Sequence, residues 1–112
     1  IHNRYVNSVN KITGLKIIPC PKYANNNHWI NILWVDEKKY HKSKKKLLKE
    51  FLDKNIQVRP LYKLNHLQKP YKNCQSFKIN FAQKLLKNSI CLPSSFNLSK
   101  NDQNKIIKIM ES

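Results

Sequence analysis

The residues that could do most chemistry lie in one stretch, Arg59-Pro60-Leu61-Tyr62-Lys63-Leu64-Asn65-His66-Leu67-Gln68-Lys69-Pro70-Tyr71. An arginine, two lysines and a histidine gather there beside two tyrosines and two prolines. Arg59 offers a planar fork of donors that matches a carboxylate or phosphate, and Lys63 offers a point charge. His66 can donate, accept or shuttle a proton near neutral pH. Arginine at position 59 is informative because only two of the 22 basic residues are arginine. A plainer reading stands beside this one. In so lysine-rich a chain, Lys63 and Lys69 also fit a solvated surface, and a lone loop histidine fits a structural hydrogen-bonder.

Elements on either side must hold this stretch in place. Ile56-Gln57-Val58-Arg59 reads as a short strand, and Pro60 ends it by fixing φ and removing a donor. The groups that follow are then on a loop anchored by a strand end, where binding residues tend to sit. Upstream, residues 1–13 read as the end of a helix through Tyr5, Val6, Val9 and Ile12, stopped by Gly14 as a left-handed cap. Leu15 to Ile18 reads as a strand ended by Pro19 and Pro21. His28 to Asp36 is the clearest strand, rich in β-branched and aromatic residues. Its alternation puts Ile30, Ile32 and Trp34 on one face and Trp29, Leu33 and Val35 on the other. Both faces are apolar, so both call for cover, and a partner domain or subunit could supply it.

Residues 42–54 predict an amphipathic helix. Leu47, Leu48, Phe51 and Leu52 form its apolar face, with Lys42, Lys46, Lys49 and Asp53 solvated opposite, and Asn55 stops it. A helix over 77–87 repeats Phe77, Phe81 and Leu85 at i+4. Ile90-Cys91-Leu92 reads as a short buried strand before Pro93. Ser99 with Asp102 resembles a capping box, opening a helix that turns Ile106, Ile107, Ile109 and Met110 inward. Helices alternating with three to four short strands give the α/β class, as a two-layer sandwich with a small, mostly antiparallel sheet.

The chain has 112 residues, 40% of them hydrophobic, and a formal charge of +16. Its length predicts one domain. The charge admits an anionic partner, but the excess is almost all lysine and is spread along the chain. Three cysteines, Cys20, Cys74 and Cys91, leave an odd count with no CxxC pair. That excludes a disulfide framework or zinc site as the natural reading, and free thiols suit a reducing cytoplasm. There is no metal motif, Gly-rich phosphate loop or nucleophile elbow. The first residue is Ile1, with no signal peptide, and helical spacing starts at once. The chain is expected to begin inside a helix of something longer.

The ordered motifs resemble the C-terminal small domain of the DegT/DnrJ/StrS-type sugar aminotransferases, pyridoxal-phosphate enzymes of the aspartate-aminotransferase fold. The resemblance runs from Arg4-Tyr5, through Asn27-His28-Trp29, to the helix ending Leu52-Asp53-Lys54-Asn55-Ile56. It continues through Arg59-Pro60-Leu61-Tyr62-Lys63 and His66-Leu67-Gln68. It closes with Ala82, Leu85, Cys91-Leu92-Pro93-Ser94-Ser95 and Leu98-Ser99. The pattern is most similar to enzymes that aminate the 4-keto group of nucleotide-linked N-acetylated sugars. Tyr62 stands where tryptophan is common, Leu64 where proline is common and Asn55 where glycine is usual.

The resemblance implies residues 1–13 as the end of an inter-domain helix and residues 14–112 as the small domain. The large domain, with the lysine that binds pyridoxal phosphate, is missing. It implies an amino donor such as glutamate, a nucleotide-linked keto-sugar acceptor, a cytoplasmic homodimer and a role in surface glycan synthesis. Arg59, Tyr62, Lys63 and His66 become candidate substrate-binding residues, and no residue is a catalytic or cofactor-binding candidate. The alternative from another class is a small basic α/β module that binds RNA. It would need aromatics exposed together on a sheet face, and Trp29 and Trp34 alternate. One outcome is expected whatever the sugar. With added pyridoxal phosphate and borohydride, this chain alone should show no single stoichiometric lysine adduct by mass spectrometry.

Overall fold

A computed structural model describes residues 1–112. The order is α1 (His2–Val9), β1 (Leu15–Ile17), β2 (Asn31–Val35), α2 (Lys44–Asp53), β3 (Arg59–Pro60), α3 (Asn80–Asn88), β4 (Ser89–Leu92) and α4 (Lys100–Glu111). The four strands form one antiparallel sheet in the order β1-β2-β4-β3. Leu33 pairs with Ile17 on one side and Ile90 on the other, so three apolar side chains line one sheet face. Leu15, Val35 and Leu92 extend that face. Tyr5 and Val9 of α1, Leu47 and Phe51 of α2, and the inward row of α4 close over it as one core. This is the two-layer α/β arrangement expected from the element order.

Both sheet edges are closed to further pairing. On β1 the Ile17 N–H donates to Asn10 Oδ1 at 2.8 Å and the Leu15 N–H to the Ile12 carbonyl at 3.0 Å. On β3, Pro60 has no N–H to offer. Such edges resist strand addition from another chain.

Several boundaries differ from the sequence reading, each for a physical reason. The first helix ends at Val9, not beside Gly14, because Asn10 turns its side chain to the β1 edge. Gly14, at φ 83°, serves a close approach instead. A Cβ there would lie 2.3 Å from the Tyr40 nitrogen. The second strand starts at Asn31. Asn26 Oδ1 accepts from the His28 N–H at 2.9 Å, and Asn27 Oδ1 from the Trp29 N–H at 3.0 Å. These local bonds hold the chain in turns, with His28 at φ 54°. Trp29 therefore does not share the Leu33 face; its side chain is 72% exposed.

Lys42 precedes the second helix and is buried rather than solvated. Its ammonium donates to Glu50 Oε2 at 2.6 Å and to the Ile109 carbonyl and Ser112 Oγ, both at 3.2 Å. Ser43 caps α2 by accepting the Lys46 N–H. Asn55, at φ 55°, ends it: Asn55 N–H reaches the Leu52 carbonyl at 2.9 Å and Ile56 N–H reaches Phe51 at 2.8 Å. Leu52 points outward.

The third helix starts at Asn80, so Phe77 lies outside it, and Phe77 and Phe81 are exposed. Its contact strip is Ala82, Leu85 and Leu86, all half-buried. It lies on the second face of β2, where Lys84 Nζ sits 5.9 Å from the Trp34 ring centre. That face is thus partly covered from within the chain. Replacing Gly14 with alanine should cost roughly 1–3 kcal/mol, combining left-handed strain with the Tyr40 clash. Urea unfolding followed by circular dichroism measures it.

Candidate substrate cleft

Antiparallel pairing of β3 with β4 places Arg59 opposite Cys91. From there Arg59 lines a cleft of about 360 Å³ with Trp29, Tyr62, Cys91 and Ser94. Its guanidinium has no carboxylate partner: the ion pairs in this chain are Lys39–Asp36, Lys42–Glu50 and Lys105–Asp102. An exposed, unpaired fork of donors at a cleft wall is set to receive an anionic or carbonyl group.

Beyond Pro60 the chain makes two short 3-10 turns, at Lys69–Tyr71 and, before it, at Asn65–Leu67. Gln68 Nε2 braces it, donating to the Lys63 carbonyl at 3.1 Å and Asn65 Oδ1 at 3.3 Å. Tyr62, Lys63 and His66 line a second, adjoining cleft of about 310 Å³ with Ile79, just before α3, and Ala82 of α3. The four residues singled out in the sequence thus fall into two groups. Arg59 and Tyr62 share one cleft, Tyr62, Lys63 and His66 the other, and Tyr62 forms the wall between them. The His66 Nε2 is buried without a hydrogen-bond partner. Such an orphaned atom costs about 1–3 kcal/mol until something pairs with it.

Sequence reasoning assigned no role to Trp29, Cys91 or Ser94, although each lies in a motif quoted above. The missing signal was the register that brings the chain after β4 beside the turn before β2. Burial raises the Cys91 pKa, only partly opposed by Lys44, so the thiol stays protonated. That is unsuited to a nucleophile. A larger groove of about 610 Å³ between the α2–β3 turn and α4 contains no arginine, histidine or cysteine. Its carboxylate, Asp102, is held below the usual range by Lys105 and Ser99.

Both lysines withdrawn from solvent are already engaged. Lys42 is tied to Glu50 and the end of α4. Lys44 Nζ donates to the Leu86 and Lys87 carbonyls at 2.8 and 3.2 Å, and burial lowers its pKa. Neither is free to form an imine, and no acid lies at either cleft. The residues of this chain do not by themselves fit a pyridoxal phosphate site. They do not form an RNA platform on the sheet either, since Trp29 lies outside the strand and Trp34 is half-buried.

Comparison with protein families matches residues 1–111 to the DegT/DnrJ/EryC1/StrS aminotransferase family. The chain belongs to that family. Among its curated relatives is the pyridoxal phosphate-dependent aminotransferase EpsN of Bacillus subtilis (strain 168). The two are 25% identical over 114 residues, covering 98% of this chain and 29% of EpsN. The fold matches that of the aminotransferase TlmJ from Streptoalloteichus hindustanus. There the TM-score is 0.79 at 18% identity, over 97% of this chain and 28% of TlmJ. It also matches a DegT/DnrJ/EryC1/StrS aminotransferase from Brucella abortus. That match has a TM-score of 0.76 at 22% identity, over 98% of this chain and 28% of the other. This family member therefore spans under a third of the length of these relatives. No helix in it is long and apolar enough to cross a membrane.

Next to Trp29, the rings of His28 and His2 stack at 3.6 Å with planes 12° apart. His2 Nδ1–H donates to Asn31 Oδ1 at 2.7 Å. Desolvation and the His2 charge lower the His28 pKa. A folded-state value below the unfolded one means that the unfolded chain binds the proton more readily. The stability from this pair is thus present above about pH 6.5, the ordinary imidazole value, and is lost as pH falls below it. His28→Asn tolerates the positive φ and should flatten this loss, seen as a smaller difference in urea midpoint between pH 7.5 and pH 5.

Proposed function

We propose that this chain is the C-terminal small domain of an aminotransferase that aminates a nucleotide-linked keto-sugar. Glutamate would be the donor, and the product would serve surface glycan synthesis. In this reading residues 1–13 end the helix linking the two domains and residues 14–112 close one side of the substrate cleft. The enzyme works as a cytoplasmic homodimer, and this chain is inactive alone. Pyridoxal phosphate supplies the electron sink for transamination. It would be held by parts of the enzyme beyond these residues.

The observation that carries the reading is the free Arg59 guanidinium at the wall of a cleft without carboxylates, in a chain of this family. Arg59 would take a phosphate or carbonyl oxygen of the acceptor in a two-point contact. Lys63 would add charge in the adjoining cleft. His66 would orient a sugar hydroxyl or acetamido group, and Tyr62 would separate the two regions. These roles concern binding and orientation, which an enzyme uses to hold reacting groups in register.

The test separates the half-reactions in the full-length enzyme. Arg59→Lys keeps the charge but removes the fork. Loss of one charge-assisted bond should slow the sugar half-reaction about ten- to a hundredfold. Lys63→Ala and His66→Ala should act in the same direction, and the amino-donor half-reaction should change less. Unchanged sugar kinetics in all three variants, with folding intact, would make this loop a mere connection.

A further inference from the structure

From Arg59 to Asn88 the chain contributes no buried residue to the core. The segment still has a defined shape. Its two short turns follow β3, and it closes on itself where Tyr62 and His66 meet Ile79 and Ala82. Four large apolar side chains on this excursion are left in water. Phe77 is 74% exposed, Phe81 68%, Tyr71 48% and Leu67 45%. None of the four lines either cleft described above. Apolar groups gathered at a surface in this way mark an interaction site.

Charge decides what they meet. Lys69, Lys72 and Lys78 interleave with these side chains, and no acid occurs from Lys54 to Asn101. None of the three lysines takes part in an ion pair. Lys78 Nζ lies 5.1 Å from the Phe77 ring centre, so cation and ring are presented together. A second copy of this face would set lysine against lysine. Protein interfaces in general are depleted of lysine. An anionic bilayer favours the mixture that is present. Aromatic rings enter the boundary between headgroups and acyl chains, while ammonium groups meet the negative surface. A fluid bilayer also accepts projecting side chains without a shaped receptor.

We propose that the segment from Leu67 to Phe81 docks the enzyme on an anionic membrane surface. Phe77 and Phe81 enter the headgroup boundary, and Lys69, Lys72 and Lys78 lie against lipid phosphates. The attachment is peripheral: α3 has nine residues, less than half of a membrane span. It leaves Arg59, Lys63 and His66 to the clefts, and it does not depend on which acceptor those clefts take.

The full-length enzyme is sedimented with vesicles of phosphatidylcholine alone or with one third phosphatidylglycerol, at low and high salt. Binding should require phosphatidylglycerol and be lost at high salt, because exposed charges are screened. One lysine near such a surface is worth about fivefold in affinity. Changing Lys69, Lys72 and Lys78 together to glutamine should therefore weaken binding about a hundredfold. Phe77→Ser with Phe81→Ser should weaken it about tenfold. Phe77→Trp should keep binding and gain quenching by lipids brominated on their acyl chains. Turnover of a soluble acceptor without vesicles should be unchanged in every variant. No binding to the anionic vesicles at low salt would overturn the proposal. So would binding that ignores the phenylalanine pair, or a Phe77→Trp signal that the brominated lipid does not quench. An enzyme that ignores vesicles but binds polyglutamate through the same lysines would replace the membrane with an acidic protein.

Discussion

The placement of the cleft depends on the hydroxyl of Tyr5. Its ring is wholly buried between α1 and the rest of the core, and its O–H donates to the Pro93 carbonyl at 2.9 Å. Burial raises the phenol pKa well beyond its ordinary value, so the group remains a neutral donor. That bond fastens the chain leaving β4 to the first helix. The next residue, Ser94, donates to Trp29. A continuous line of bonded groups therefore runs from the core to the cleft wall. α1 is itself tied to α4, by Gln103 Nε2 donating to the Ile1 carbonyl at 2.7 Å and Arg4 donating to Asn104 at 2.5 Å. The site is made of exposed residues, but their positions are inherited from buried ones.

A second constraint comes from the distribution of charge. No aspartate or glutamate stands between Asp53 and Asp102, a stretch that includes Arg59, Lys63 and the lysines of α3. None of the six acids lines either cleft. Glu50 meets buried Lys42, Glu37 accepts the Lys44 N–H, and Asp102 helps cap α4 through Ser99. The Lys42 ammonium and the Tyr40 hydroxyl also accommodate carbonyls near the end of α4, those of Ile109 and Met110. Cations at a helix C-terminus are favoured by its dipole. Acids and the buried lysine thus hold helices together, while the basic groups at the cleft keep no internal partner. Loose lysine excess over the whole chain would not have predicted this division.

Local chemistry determined a good deal of this protein. The inward row of α4, the Ser99 start and the Asn55 stop follow from residue type and spacing, whereas β3 is Arg59–Pro60 and leaves Ile56–Val58, read as strand, outside it. Capping bonds, left-handed tolerance and a fixed φ act within a few residues of their cause. The ordered motifs likewise carried the family, and with it the α/β sandwich. Arg59 stood out by its rarity and does line the cleft.

Other features required the tertiary structure. Phe77, Phe81 and Leu52 keep apolar spacing yet face water, because periodicity defines a stripe and only packing decides which stripe is covered. Lys42 looked like one more surface cation until α4 brought the Ile109 carbonyl and Ser112 to it. Trp29 read as a strand residue because its β propensity is high; side-chain bonds from two asparagines outweighed that propensity and turned it into the cleft. Arg59, Trp29 and Ser94 are far apart in sequence and meet because β4 runs antiparallel to both β2 and β3. Strand register and interlayer contact are properties of the whole chain, so no local window of sequence contains them.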